Sequence, residues 1–150
     1  MKPSGHVHAS PFVSARHAVA LATVLLGAAA CVEPPPDLLI GTFRDDYGSA
    51  YTITSTAWTH DGAATYHVVR WNVAEQYLIA RNDSANASAP GRWSRIDWVP
   101  LDGMSPYEWG YCYSAYDAES AAAAESVSVA RRDTPRTGCN GFPFTRMAPE

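Results

Sequence analysis

From Trp93 to Val99 and again from Tyr107 to Tyr113 the chain alternates residue by residue, and that period of two constrains the fold more than any other feature of the sequence. Trp93, Arg95, Asp97 and Val99 share one parity, with Ser94, Ile96 and Trp98 on the other. After an Asp102-Gly103 turn, Tyr107, Trp109, Tyr111 and Tyr113 share a parity opposed to Glu108, Gly110 and Cys112. Successive side chains of a strand point to opposite faces, so this pattern predicts strands with one covered face. Ser49 to Thr56 alternates in the same way, as does Thr65 to Trp71, with Tyr66, Val68 and Arg70 opposite His67, Val69 and Trp71. Turn chemistry separates these runs: Arg44 to Gly48, Trp58 to Gly62 with its Asp-Gly dipeptide, Asn72 to Glu75, and a polar loop from Asn82 to Pro90.

Two further runs, Leu38 to Phe43 and Gln76 to Arg81, complete the early strands. From Ser114 the pattern changes. Ser114-x-x-Asp117 matches a capping signature, the block Ala121 to Ala124 favours helix, and Arg131 with Arg132 falls where cations suit a helix C-terminus. Gly141 to Thr145 reads as a last short strand at a sheet edge, because Pro143 has no N–H for a central ladder. The expected fold is mainly β: a small antiparallel barrel or sandwich, a lipocalin-like meander, with one helix before the last strand.

The first thirty residues belong to another pattern. Ala18 to Ala30 is an uncharged, mostly apolar run preceded by a segment whose only formal side-chain charges are Lys2 and Arg16, which is the layout of a secretory signal. As a helix it would rise about 20 Å, short of a ~30 Å hydrocarbon core. The run ends in Ala28-Ala29-Ala30-Cys31 and is followed by Val32, Glu33 and three prolines. This junction resembles the lipobox of bacterial lipoproteins, although Ala28 stands where most lipoboxes carry Leu. The resemblance implies acyl chains on Cys31, membrane attachment through them, and, from Val32 after the cysteine, the outer membrane. The competing reading is cleavage after Ala30, giving a secreted or periplasmic protein. The expected organisation is a signal in residues 1–30, a lipidated cysteine and proline-rich tether in 31–37, and a single β domain in 38–150.

There are three cysteines in the sequence. If Cys31 is acylated, Cys112 and Cys139 remain as an even pair whose disulfide would leave the sheet on the face opposite the aromatics; two unpaired thiols are the alternative. No paired C-x-x-C motif accompanies His60 and His67, so no metal site is expected. Without Lys2 and Arg16 the basic residues fall to nine arginines against 15 acids, a net charge of about −6. Such a surface offers no electrostatic footprint for nucleic acid.

Gln76 to Asp83 (QYLIARND), Pro90 to Trp98 (PGRWSRIDW), Tyr111 to Ser120 (YCYSAYDAES) and Gly138 to Phe144 (GCNGFPF) together resemble a family of small uncharacterised bacterial envelope lipoproteins of the kind abundant in myxobacteria. The resemblance spans most of residues 38–145. It implies an envelope protein with one disulfide-bridged β domain and transfers no activity, cofactor or catalytic residue.

The remaining question is chemistry. All five tryptophans fall between Trp58 and Trp109. A self-filling barrel core accounts for most of them, while Trp93, Trp98 and Trp109, set among turns and polar residues, are the candidate contacts for a sugar or small apolar ligand. Carboxylate catalysis would draw on Asp45, Asp46, Asp97 and Asp102, but an Arg95–Asp97 pair bracing a strand is the commoner use of such residues. Asn82 to Asn86 imitates a calcium loop, yet Ala87 and Trp93 stand where glycine and glutamate are needed, leaving an Asx-rich surface loop. Neither G-x-S-x-G nor H-E-x-x-H occurs. The expected protein is therefore an exported, membrane-anchored β module that binds a ligand or partner, without a cofactor and not an enzyme. A structural lipoprotein with a filled core is the alternative, and a secreted hydrolase the third reading.

Overall fold

The computed structural model describes Met1 and residues 33–150. The expected signal segment and Cys31 lie outside the described residues. The chain divides into two units, Met1–Ala30 and Cys31–Glu150, and the fold belongs to the second.

Eight antiparallel strands follow one another around a closed barrel: β1 (Gly41–Asp45), β2 (Ala50–Ile53), β3 (Ala57–His60), β4 (Ala64–Asn72), β5 (Tyr77–Asn82), β6 (Trp93–Pro100), β7 (Trp109–Ala118) and β8 (Thr145–Pro149). One helix, α1 (Ala121–Ser126), precedes the last strand. The meander with a single late helix is the expected architecture. The barrel closes where β8 pairs with β1, Phe43 opposite Pro149 and Asp45 opposite Met147, while its other side pairs with β7. Closure gives every strand two neighbours and removes the free edge.

The alternation seen in the sequence becomes inside and outside. Tyr51 and Ile53 of β2, Ile96 and Trp98 of β6, and Trp109 and Tyr111 of β7 point inward and pack with Phe43, Trp58 and Met147. A 3₁₀ turn, Asp37–Leu39, adds the fully buried Leu39 to this core. In β4 the simple parity fails. A bulge between Val68 and Arg70 leaves Val69 as the extra, exposed residue, so Trp71 returns to the inner face beside Tyr66 and Val68. A bulge adds one residue to one strand and therefore inverts the alternation beyond it.

The outward faces differ around the barrel. On β1 and β4 they carry exposed Thr42, Arg44, His67 and Arg70. Charged outside and apolar inside is the reverse of a membrane-spanning barrel, whose outer band is apolar. On β5, β6 and β7 the outer face is itself covered, by α1 and the chain from Val127 to Phe144. Ala124 packs on Tyr77, Ile79 and Ala115, and Phe144 packs on Val99, Leu101 and Cys112. The Cys112–Cys139 disulfide, with Cα atoms 5.5 Å apart, pins this cover to β7. It leaves the strand on the outer face while Trp109 and Tyr111 face inward, as the parity of β7 requires.

Five local expectations are corrected. Trp58 to His60 belong to β3 instead of a turn; only Trp58 of this four-residue strand is fully buried, so no alternation marks it. Ser114 does not cap the helix, because β7 runs on to Ala118; the cap is Ser120, whose Oγ accepts the Ala123 N–H at 3.1 Å. The helix stops at Ser126, where the β-branched Val127 takes extended backbone, so Arg131 and Arg132 lie beyond it. The last strand starts at Thr145, past Pro143, and is paired on both sides instead of forming an edge. Tyr107 likewise precedes β7 and packs with the outer cover, away from the inner face shared by Trp109, Tyr111 and Tyr113.

Candidate functional site

The tryptophans decide where a ligand can sit. Trp58 and Trp109 are 0% exposed and Trp71 and Trp98 2%, all within one inner core. Edge-to-face contacts lock them together, with ring centres 5.7 Å apart for Trp58 and Trp109 and 5.8 Å for Trp71 and Trp98. The expectation that Trp98 and Trp109 stand out of the core is thus corrected. Flanking turns do not expose them, because inward parity on two central strands overrides local polarity. Trp93 is half-buried against the Tyr77, Ile79 and Ala124 cluster. The structure does not bring these three residues together on one open face.

A concavity among the described residues lies outside the barrel. It encloses about 1110 Å³ between the β1–β2 turn (Asp46, Tyr47), the β6–β7 loop (Leu101, Asp102, Gly103, Met104) and the cover segment, which contributes Asp133, Thr134, Pro135, Arg136 and Phe144. Each wall has a local cause. The Asp45 carboxylate accepts the backbone N–H groups of Tyr47 at 3.0 Å and Ser49 at 2.7 Å, shaping a turn that leaves Tyr47 79% exposed at the rim. The cover wall folds back on itself: Arg131 donates its N–H to the Gly138 carbonyl at 2.7 Å, and Phe144 donates to Pro135 at 2.8 Å. Only glycine fits at 138, since a Cβ there would stand 1.9 Å from the Arg131 carbonyl oxygen. Arg146 joins two walls, bonding Asp46 through Nε at 2.8 Å with its guanidinium 4.6 Å above the Tyr107 ring. The cleft therefore has a buried apolar floor at Phe144, an exposed ring at Tyr47, and exposed charges at Asp102, Asp133 and Arg136.

The cover is held to the barrel by a charged cluster under it. Asp97 is fully buried and receives two bonds of 2.9 Å from Arg95, one of 2.6 Å from Arg132, and one from the Ser114 hydroxyl. Arg132 also donates to the carbonyls of Trp98 and Gln76, at 3.0 and 2.7 Å. Arg95 donates to the Glu125 carbonyl at 2.6 Å and lies 4.0 Å over the Tyr77 ring. Glu125 accepts from the Tyr77 hydroxyl at 2.7 Å and from Arg70. The Tyr77 bond, followed by the one from Arg70, holds the Glu125 carboxyl below its ordinary range.

Other candidates find structural uses. Asp45 serves its turn, Asp46 serves Arg146, and Asp97 serves the cluster just described, which leaves Asp102 as the exposed member of the four. Asn82 and Asn86 are buried at 3% and 8%, not displayed on the loop surface. Asn86 exchanges both its amide groups with the backbone of Thr65, at 2.9 and 2.8 Å, and Asn82 accepts from Ser94 at 2.6 Å. His67 pairs with Asp83 at 2.6 Å, and His60 stacks on Tyr51 at 4.5 Å. Among the described residues no three His, Cys, Asp or Glu side chains converge where a metal ion could be held. The cleft itself escapes sequence reasoning because loops distant in the chain build it. Its one cue is an aromatic residue, Tyr47, at the tip of a polar turn.

No protein-family model, no curated protein and no solved structure matches this chain.

Proposed function

We propose that this chain is an exported bacterial envelope lipoprotein, anchored in the outer membrane by acyl chains on Cys31, whose barrel presents the outer cleft for ligand binding and catalyses no reaction. The observation that carries the reading is the distribution of aromatics: the interior is packed with tryptophan, so the place for a guest of sugar size is the cleft under Tyr47. An exposed ring beside carboxylates and a guanidinium suits a sugar, which offers an apolar C–H face to the ring and hydroxyls to the charges. Membrane attachment would rest on the acyl chains, since the outer surface of β1 and β4 is charged and no described helix is long and apolar enough to cross a membrane.

Two experiments test the two halves. Intact mass of the protein from the membrane fraction should give a chain starting at Cys31 with added acyl mass, and Cys31→Ser should release it; an unmodified soluble chain refutes the anchor. Titration of the 15N-labelled protein with a panel of mono- and oligosaccharides should shift the amides of Tyr47, Gly103 and Thr134, and both Tyr47→Ala and Arg136→Ala should weaken that response. Silence across the panel would refute sugar binding and favour the second reading, a structural lipoprotein whose filled core is its purpose.

A further inference from the structure

The barrel interior contains polar groups that the fold does not serve. The indole N–H groups of Trp58 and Trp109 and the Tyr113 hydroxyl have almost no accessible surface and no hydrogen-bond partner among the described residues. Their neighbours are treated differently. Trp71, in the same core, donates its indole N–H to the Ser55 carbonyl at 2.8 Å. Tyr51 donates to Asp45 at 3.1 Å and meets the Tyr111 hydroxyl at 2.8 Å. Because the single Tyr51 proton goes to Asp45, the proton in the second bond belongs to Tyr111. A buried donor without an acceptor has lost its water and gained nothing in return, so three orphans in one small core are not a neutral detail.

The rings of Trp58 and Trp109 are in direct contact, and that of Tyr113 lies further along the same packed chain, beyond Tyr111. Trp109 contacts Trp58 at 5.7 Å, Trp58 contacts Tyr111 at 5.2 Å, and Tyr111 contacts Tyr113 at 5.3 Å. An indole N–H can only donate, so whatever satisfies both tryptophans must accept. The acidic group bonded into this core is Asp45, through Tyr51, and the basic ring that stacks on Tyr51 is His60. A buried anion there would be both desolvated and repelled by the Asp45 carboxylate, so the acceptor is a neutral one.

We propose that the barrel core holds a neutral oxygen acceptor against the adjoining indoles of Trp58 and Trp109. Water is the smallest such guest, and the carbonyl or hydroxyl oxygen of a small organic molecule has the same chemistry. This site is separate from the outer cleft and does not depend on it. The competing account is that each indole points its N–H at a neighbouring ring face, an arrangement the 81° angle between Trp58 and Trp109 permits.

Nuclear magnetic resonance of the natively purified, 15N-labelled protein separates these accounts, with the Trp71 indole as the internal reference for a hydrogen-bonded N–H. The expected result is Trp58 and Trp109 indole protons shifted downfield beside that of Trp71. They should show cross-relaxation either to protons at the water frequency, which identifies water, or to carbon-bound protons of no amino acid, which identifies an organic guest. Both indole protons displaced upfield by ring currents, with contacts only to protein, would overturn the proposal.

Discussion

Replacing Asp97 by Asn tests whether the cover is held by charge. Asp97 is fully buried, and the Arg95 side chain bonded to it is only 7% exposed, so the substitution leaves one guanidinium inside the protein without its counter-charge. Arg132 is 25% exposed at its side chain and keeps its carbonyl acceptors, so it contributes less to the loss. Breaking a buried pair by removing one partner costs about 3–5 kcal/mol. For a domain near 100 residues, 1 kcal/mol corresponds to roughly 4 °C in Tm, so Asp97→Asn should melt about 12–20 °C early. The double variant Arg95→Met, Asp97→Leu removes both buried charges and should recover most of that loss, because a well-packed apolar pair often matches a buried ion pair. Thermal melts followed by circular dichroism measure both. If Asp97→Asn stays within about 1 kcal/mol of the parent, or if the double variant is as damaged as the single one, the cluster does not hold the cover as argued.

Four other outcomes follow from the same structure. With Trp58, Trp71, Trp98 and Trp109 at 2% exposure or less, tryptophan emission should be blue-shifted and resist iodide, Trp93 supplying the small quenchable fraction; emission quenched as freely as in the unfolded chain would contradict the filled core. Thiol labelling of the native protein should find neither Cys112 nor Cys139, and Cys112→Ala with Cys139→Ala should cost about 3.5 kcal/mol in denaturant melts, the chain-entropy value for the loop they close. Glu125 has its carboxyl held low by Tyr77 and then Arg70, so its stabilising contribution is present above the unfolded carboxylate pKa and is lost as pH falls through the lower folded value. Stability should therefore drop on acidification, with a smaller slope in Glu125→Gln; an unchanged slope would remove Glu125 from the account. Burial pushes the Tyr111 phenol up to about 12 and raises those of Tyr51 and Tyr113 as well. A raised pKa gives stability that is complete below the unfolded value of about 10 and disappears toward the folded one, so alkaline unfolding should set in over that window, together with phenolate absorbance.

Much of the barrel was legible because strand parity is local. The faces of β2, β6 and of β7 from Trp109 to Tyr113, the outward direction of Cys112 and the pairing of Arg95 with Asp97 can be read from spacing alone. Parity fails where a single residue breaks it, at the Val69 bulge and at the irregularity in β7 that puts Tyr113 inside and Ala115 outside, and where a strand is too short to alternate, at β3. Sequence signatures misplace both ends of the helix for one reason. Capping and charge signatures describe an isolated helix, whereas here β7 extends to Ala118 because Tyr113 and Ala115 find partners on β6, and Arg132 is drawn away to Asp97. The cleft was not legible at all, since Asp46, Gly103 and Pro135 meet only after the chain has closed on itself. The tryptophans teach the complementary point: polar neighbours in sequence say little about exposure when a strand has two faces.

The closure of β8 onto β1 sets a condition on how the chain can acquire this fold. Phe43 and Pro149 are partners, as are Asp45 and Met147, so the last ladder to be satisfied joins the two ends of the domain. Contacts of such long sequence separation form late, after the loop entropy between them has been overcome. Until residues 145–149 are present, β1 and β7 each keep an open row of backbone donors and acceptors. A growing or truncated chain is then a curved sheet with two sticky rims, and a single short C-terminal strand turns it into a barrel with none.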